Sequence, residues 1–367
     1  MSLNLRGSAA RLFIAGFSGK SVSSELTSLL DLGVSGAILF TRNVEAPAQV
    51  AELTRAIKQR AGRPFLTSVD QEGGNVARLR DGFTRVPAMQ VLGRADDANL
   101  SYEVGRVLGR ELRAVGIDLD YAPVLDVNTN PENPVIGPRS FGADPELVAW
   151  HATALAKGLV SEGVAACGKH FPGHGDTLQD SHHQLPRLPH ALERLERIEL
   201  LPFSAAVKAG FPAIMTAHVV FEALDPEWPA TTSKAALSGL LRGKLGYEGV
   251  IITDDLEMKA IADHYPLEEV IVRGLDAGVD LFLCCHTHDK VIAAVDAVER
   301  AVLDGRIPLY RFQQAVARVE AFTKRWASPP LERFDASLLR SPESLSVIQR
   351  LEAAAASVEE GRDPTEY

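Results

Sequence analysis

Eight short apolar runs punctuate the chain, and a longer stretch with helical periodicity separates each from the next. The runs are RLFIAGF (11–17), GAILF (36–40), PFLTSVD (64–70), DLDYAPVLDV (118–127), GVAACGKH (163–170), AIMTAHVV (213–220), GVIITDD (249–255) and VDLFLCC (279–285). Runs that are apolar on both faces read as parallel strands buried on both sides. Helices are predicted over Ser21–Leu32, Ala46–Ala61, Ser101–Val115, Pro145–Glu162, Ala191–Ala209, Ser233–Lys244, 257–277, 288–304 and 310–326. Such alternation means a parallel sheet covered by helices. Eight units predict the α/β class and a (β/α)8 TIM-type barrel, a single catalytic domain, rather than a doubly wound sheet. The first glycine turn, Gly16 and Gly19, also lacks the full dinucleotide fingerprint.

The ends of the runs sharpen the picture. Asp70, Asp126, His170, His218, Asp254 and His286 all fall at or near C-terminal strand ends. In a barrel those ends converge on one face, so residues remote in sequence meet in one pocket. The tail differs in character. Ser341-Pro342-Glu343 is a good helix start, and Leu345, Ile348 and Leu351 recur at helical spacing. We therefore expect a catalytic barrel over 1–330 and a C-terminal helical extension with a polar tail over 331–367.

Composition narrows the function class. At 367 residues and 46% hydrophobic content the chain can bury a large core, and its net charge of −10 argues against nucleic acid or an anionic membrane as partner. Three cysteines cannot make a disulfide framework; Cys167 and Cys284 sit in apolar runs and read as buried thiols of a reducing compartment. The N-terminus lacks the order of a signal peptide, and no stretch reaches the length of a membrane span. A cytoplasmic protein is expected.

Three groups of residues carry chemistry. KHFPGHGDTLQDSHHQLP (169–186) holds four of the ten histidines, with Asp176 and Asp180 among them. Asp180 stands two residues from His182, where a carboxylate orients an imidazole for acid–base work near neutral pH. SVDQEGGNVARL (68–79) places Asp70 at a strand end with Arg78 in reach, a pairing that holds a polyhydroxylated ligand or makes a structural salt bridge. GVIITDDLEM (249–258) delivers Asp254 and Asp255. Adjacent strand residues point oppositely, so one aims inward and the other caps the following helix. A metal site is the rival reading, because His286-Thr287-His288 offers a pair of ligands. The first strand carries no such pair, so no metal and no cofactor are expected.

Together these groups resemble glycoside hydrolase family 3, in its bacterial β-N-acetylglucosaminidase branch. The resemblance spans about residues 11–290 through DQEGG, VIGPRSF (135–141), KHFPGHGDTxxDSHxxLP and TDDLEM. It implies a barrel with Asp254 as nucleophile, His182 as acid/base and Asp180 as its partner. It implies sugar binding by Asp70, Arg78, Arg139, Lys169 and His170. Asn75 departs from the commonest pattern, where an arginine follows the glycine pair, and His183 is an added imidazole. The implied reaction is a retaining, two-step release of terminal β-linked N-acetylglucosamine through a covalent glycosyl-enzyme. The implied substrate is a peptidoglycan-derived muropeptide in cell-wall recycling; the sequence leaves the oligomeric state open, with a monomer favoured. A broader β-glucosidase, a phosphorylase, and a non-catalytic sugar-binding barrel are the alternatives.

Overall fold

The eight apolar runs become the eight strands of a closed barrel in a computed structural model that describes residues 4–178 and 185–360. They are β1 (Phe13–Gly16), β2 (Gly36–Leu39), β3 (Leu66–Val69), β4 (Leu119–Asp120), β5 (Ala165–Phe171), β6 (Ala213–Thr216), β7 (Val250–Asp255) and β8 (Leu281–Cys284). Each pairs in parallel with its neighbours in sequence, and β8 closes onto β1 through Phe13↔Phe282 and Ala15↔Cys284. Closure requires close approach at Gly16. A Cβ there would lie 1.8 Å from the Cys285 carbonyl oxygen.

Helices follow the strands in order, and local chemistry sets several boundaries. The helix Pro145–Ser161 begins where Asp144 accepts from the Glu146 and Leu147 N–H groups, with proline in the first turn. Such a cap stabilises a helix start by about 1 kcal/mol. Two predicted helices are interrupted. The 191–209 segment forms Leu192–Arg197 and Leu200–Lys208, because Pro202 has no N–H to give and belongs in a first turn. Region 257–277 likewise splits into Lys259–Ala262 and Leu267–Ala277 around Pro266. The 118–127 run is strand only at Leu119–Asp120, with one further bridge between Val124 and Lys169, since Pro123 cannot donate to a ladder.

The C-terminal helix Pro342–Glu360 starts where the Ser341 hydroxyl accepts from Ser344 N at 3.1 Å. It packs against helices Met89–Ala95 and Ala98–Ala114 through Ser344, Val347, Ile348, Leu351 and Ala355. Leu345, read from the sequence as part of the apolar stripe, is instead exposed. All three cysteines are buried free thiols. No helix among the described residues is long and apolar enough to cross a membrane.

Candidate active site

The register of the barrel ladder breaks in two places, between Gly168 and Phe171 of β5 and between Ile252 and Asp255 of β7. Such irregularities re-aim side chains. Here they sit where Lys169, His170 and Asp254 leave their strands.

On the β3 side, Asp70 follows the strand and the chain turns back through a hairpin, Gln71–Gly73 with Val76–Ala77. Gly73 and Gly74 have φ of 104° and 56°, which a side chain tolerates poorly, and a Cβ on Gly73 would sit 2.6 Å from the Pro87 carbonyl. The hairpin brings Arg78 Nη2 to 3.7 Å from Asp70 Oδ2. Lys169 Nζ donates to Asp70 Oδ1 at 2.7 Å and lies 2.6 Å from Glu72 Oε1. Arg139, on the turn Gly137–Arg139, donates from Nε and Nη2 to the two oxygens of Glu72 at 2.8 and 2.7 Å. Burial works against the charge on Glu72, Arg139 and Lys169. For Glu72, Arg139 and Lys169 outweigh it and hold the carboxyl far below the usual carboxylate range; for Lys169, Asp70 and Glu72 outweigh it and raise the ammonium.

Beneath the wall, Asp120 is fully buried. One oxygen accepts from Gln71 N at 2.9 Å, and the other has no partner among the described residues. Burial pushes its carboxyl well up.

The β5 side carries a second carboxylate–imidazole unit. His170 Nδ1 lies 2.7 Å from Asp126 Oδ2, while Asp126 Oδ1 accepts from the His170 and His174 N–H groups. That fixes the His170 tautomer with Nδ1–H toward Asp126. His174 is buried with Nδ1 2.8 Å from the Thr177 hydroxyl; burial, and then the neighbouring His170, push it down to about 4.

Across the pocket, Asp254 accepts from Asp255 N at 2.8 Å. Burial alone pushes its carboxyl up, but His170, His218, the Asp255 N–H and Lys169 outweigh it, so the group is held ionised below its ordinary value. His218 is held neutral by burial, and its Nε2 is 3.1 Å from the Asp255 carbonyl oxygen, steadying the turn after Asp254. Asp255 faces elsewhere. It accepts from Cys285 N and Glu257 N, both at 3.1 Å, and lies 3.2 Å from His286 Nε2. The expected helix cap is therefore a brace of the β7 turn and the end of β8; the following short helix starts at Met258 without a side-chain cap.

The structure thus brings together Asp70, Arg78, Arg139, Lys169, His170 and Asp254. Asp180 and His182 lie outside the described residues. Within the same loop, Asp176 accepts from Thr129 at 2.6 Å and pairs with His190 and Arg194. The His286-Thr287-His288 pair diverges: His288 Nε2 meets Ser28 at 2.6 Å while His286 meets Asp255. Among the described residues no three His, Cys, Asp or Glu are grouped as metal ligands. Sequence reasoning left Glu72 without a role. Its position two residues after Asp70 in an extended segment puts both carboxylates on one face, and that spacing was the available signal. Asp126 and His218 were marked only as strand ends, since their partners, His170 on β5 and the Asp255 carbonyl at the end of β7, lie far away in sequence.

The C-terminal face of the barrel thus gathers Asp254 and a wall of paired acids and bases whose donors and acceptors suit a polyhydroxylated substrate. The glycosyl hydrolase family 3 N-terminal domain matches residues 10–322, and the chain belongs to this family. It is a glycoside hydrolase. A β-hexosaminidase of Alkalilimnicola ehrlichii is 43% identical over 287 residues, covering 76% of this chain and 82% of that protein. The family 3 β-N-acetylglucosaminidase from Paenibacillus sp. FPU-7 superposes with a TM-score of 0.93 at 45% identity, over 96% of this chain and 69% of that one. NagZ from Neisseria gonorrhoeae, solved in complex with N-trifluoroacetyl-D-glucosamine, gives a TM-score of 0.79 at 34% identity over 94% and 98%.

Proposed function

We propose that the chain is an exo-acting β-N-acetylhexosaminidase that releases terminal β-linked N-acetylglucosamine with retention of configuration. The observation that carries this reading is the linked Asp70–Lys169–Glu72–Arg139 wall on the barrel face that also bears Asp254 at the end of β7. The activity of the similar hexosaminidases supports the sugar assignment.

In the first step an Asp254 oxygen attacks the anomeric carbon and the glycosidic C–O bond breaks. Protonated His182 gives its proton to the departing oxygen, and Asp180 stabilises the imidazolium beforehand. In the second step neutral His182 takes a proton from water, whose oxygen attacks the same carbon and frees Asp254. Asp70 and the free Nε2 of His170 accept from sugar hydroxyls, while Arg78, Arg139 and Lys169 donate. The natural substrate we assign is an N-acetylglucosamine-terminated peptidoglycan fragment, processed in the cytoplasm by a monomer. The barrel, residues 1–330, carries the chemistry, and residues 331–367 form an extension outside it.

The test is nitrophenol release from p-nitrophenyl β-N-acetylglucosaminide and the matching glucoside. We expect the N-acetyl substrate to be preferred, β-configured sugar as first product by NMR, and a loss of about 10⁴-fold or more in kcat for Asp254→Asn. His182→Ala should slow poor leaving groups more than nitrophenol. No turnover of either substrate by the wild type would leave a non-catalytic sugar-binding barrel. Loss of activity with chelators would move the reading to a metal-dependent hydrolase.

A further inference from the structure

Glu72 is the carboxylate of the pocket wall that is 2% exposed with both oxygens occupied, whereas Asp70 is 18% exposed. A sugar cannot displace its partners to touch it. What Glu72 does is divide the hydrogen-bonding capacity of two cations. The Lys169 ammonium has three protons; Asp70 Oδ1 at 2.7 Å and Glu72 Oε1 at 2.6 Å take two, leaving one. The Arg139 guanidinium has five; Glu72 takes the Nε proton and one on Nη2, and the Val135 carbonyl takes one on Nη1 at 3.1 Å. Two remain.

The same division governs Asp70. Because Lys169 is shared, Asp70 gives it a single oxygen, and Arg78 stands off at 3.7 Å from the other, beyond hydrogen-bond length. Asp70, 18% exposed, keeps lone pairs for a ligand. Without Glu72, the ammonium would turn wholly onto Asp70 and the guanidinium would lose the fork that holds its plane.

We propose that Glu72 is the positioning residue of the sugar wall, binding Lys169 and Arg139 at once so that their remaining donors and the open oxygen of Asp70 match the sugar hydroxyls. This rests on the reading that the wall holds the sugar. A purely structural ion cluster would share the contacts but would show its loss in stability, not in sugar affinity.

The experiment uses the full chain carrying Glu72→Gln, which keeps the shape and removes the charge. The readouts are competitive inhibition by free N-acetylglucosamine, KM and kcat separately, and the melting temperature. Sugar affinity should fall roughly tenfold to a hundredfold, the range for losing one or two hydrogen bonds to charged groups, with KM rising by more than kcat falls. Adding Arg139→Met to Glu72→Gln should cost little more than the worse single change, because the two act as a unit. Affinity within twofold of wild type, or losses that multiply independently, overturns the proposal. Should Glu72→Gln fail to fold, Glu72→Asp is judged by the same affinity criterion. A wild type that neither binds N-acetylglucosamine nor cleaves its glycosides defeats the functional reading beneath; a wild type that does both, with sugar affinity kept in Glu72→Gln, defeats this inference alone.

Discussion

Both ends of the barrel bury carboxylates among cations, yet they are built to opposite specifications. At the base, Asp118 directly precedes β4 and Asp280 directly precedes β8. Asp118 is fully buried and accepts from Lys58 Nζ, Arg113 Nη1, Thr67 N, Ser328 N and the Ser328 hydroxyl, at 2.6 to 3.1 Å. Asp280 is ringed by Arg242, Arg311 and Arg318 and also accepts from Ile251 N. These carboxylates are saturated, and they tie helices to strand starts. At the mouth, the wall keeps capacity in hand: Asp70 and Arg78 are 18% and 27% exposed, and Arg78 stands 3.7 Å from the second Asp70 oxygen. Unfilled hydrogen-bonding capacity within reach of solvent marks a site; a buried ion cluster does not. Cavity size does not mark it either, since a cavity of about 510 Å³ opens at the base, lined by Tyr247, Arg318 and Trp326.

The largest effect should come from breaking a base cluster. Asp118→Ala leaves Lys58 buried without its carboxylate, while burial already works against the Lys58 charge. Removing one partner of a buried pair typically costs about 3–5 kcal/mol. Denaturant unfolding should show that loss, while kcat per folded molecule stays near wild type. A loss of activity at unchanged stability would erase the distinction between the two ends.

Acid separates the ends next. His174 at the mouth is buried and pushed down to about 4, against an ordinary 6.5. Between these values the unfolded chain binds the proton and the folded chain does not. Stability from this group is therefore complete above pH 6.5 and falls as the pH drops toward 4, by up to about 3 kcal/mol. Neutral His218 adds in the same direction. Among their described partners the base clusters hold no histidine, so His174→Gln should flatten the loss of stability between pH 7 and 4.5. An unchanged slope would place the acid sensitivity elsewhere.

How much of this was legible follows the same physics. Strands buried on both faces must be apolar throughout, so all eight stood out as runs, and the face bearing Asp70, His170 and Asp254 followed from strand ends alone. The breaks at Pro202 and Pro266 were also written in the chain, but helical periodicity passes smoothly through both. Leu345 misled because spacing says which residues share a stripe, not which flank of it meets a neighbour. The roles of Arg139 and Lys169 came through family motifs; pattern alone does not tell that a turn at 137–139 reaches a carboxylate 67 positions earlier. Asp126 and His218 needed the fold itself. Glu72 was within reach of the alternation rule.

The smallest test refines the comparison within the base itself. The Ser328 hydroxyl donates to Asp118 Oδ1 at 2.6 Å and accepts from Lys58 Nζ at 2.6 Å, linking the chain beyond the Leu309–Trp326 helix to the start of β4. Ser328→Ala deletes that hydroxyl but leaves the charges paired, and the Ser328 N–H still donates at 2.9 Å. A hydrogen bond to a charged group contributes about 1.5–3 kcal/mol, and the remaining donors offset part of it, so a cost near the lower bound is expected. The measurement is the urea midpoint of Ser328→Ala beside Asp118→Ala. If the two cost the same, the base is held by its hydrogen-bond network as a whole. If Ser328→Ala costs clearly less, charge neutralisation of Asp118 is what holds it, and saturation of the carboxylate is a consequence of burying it.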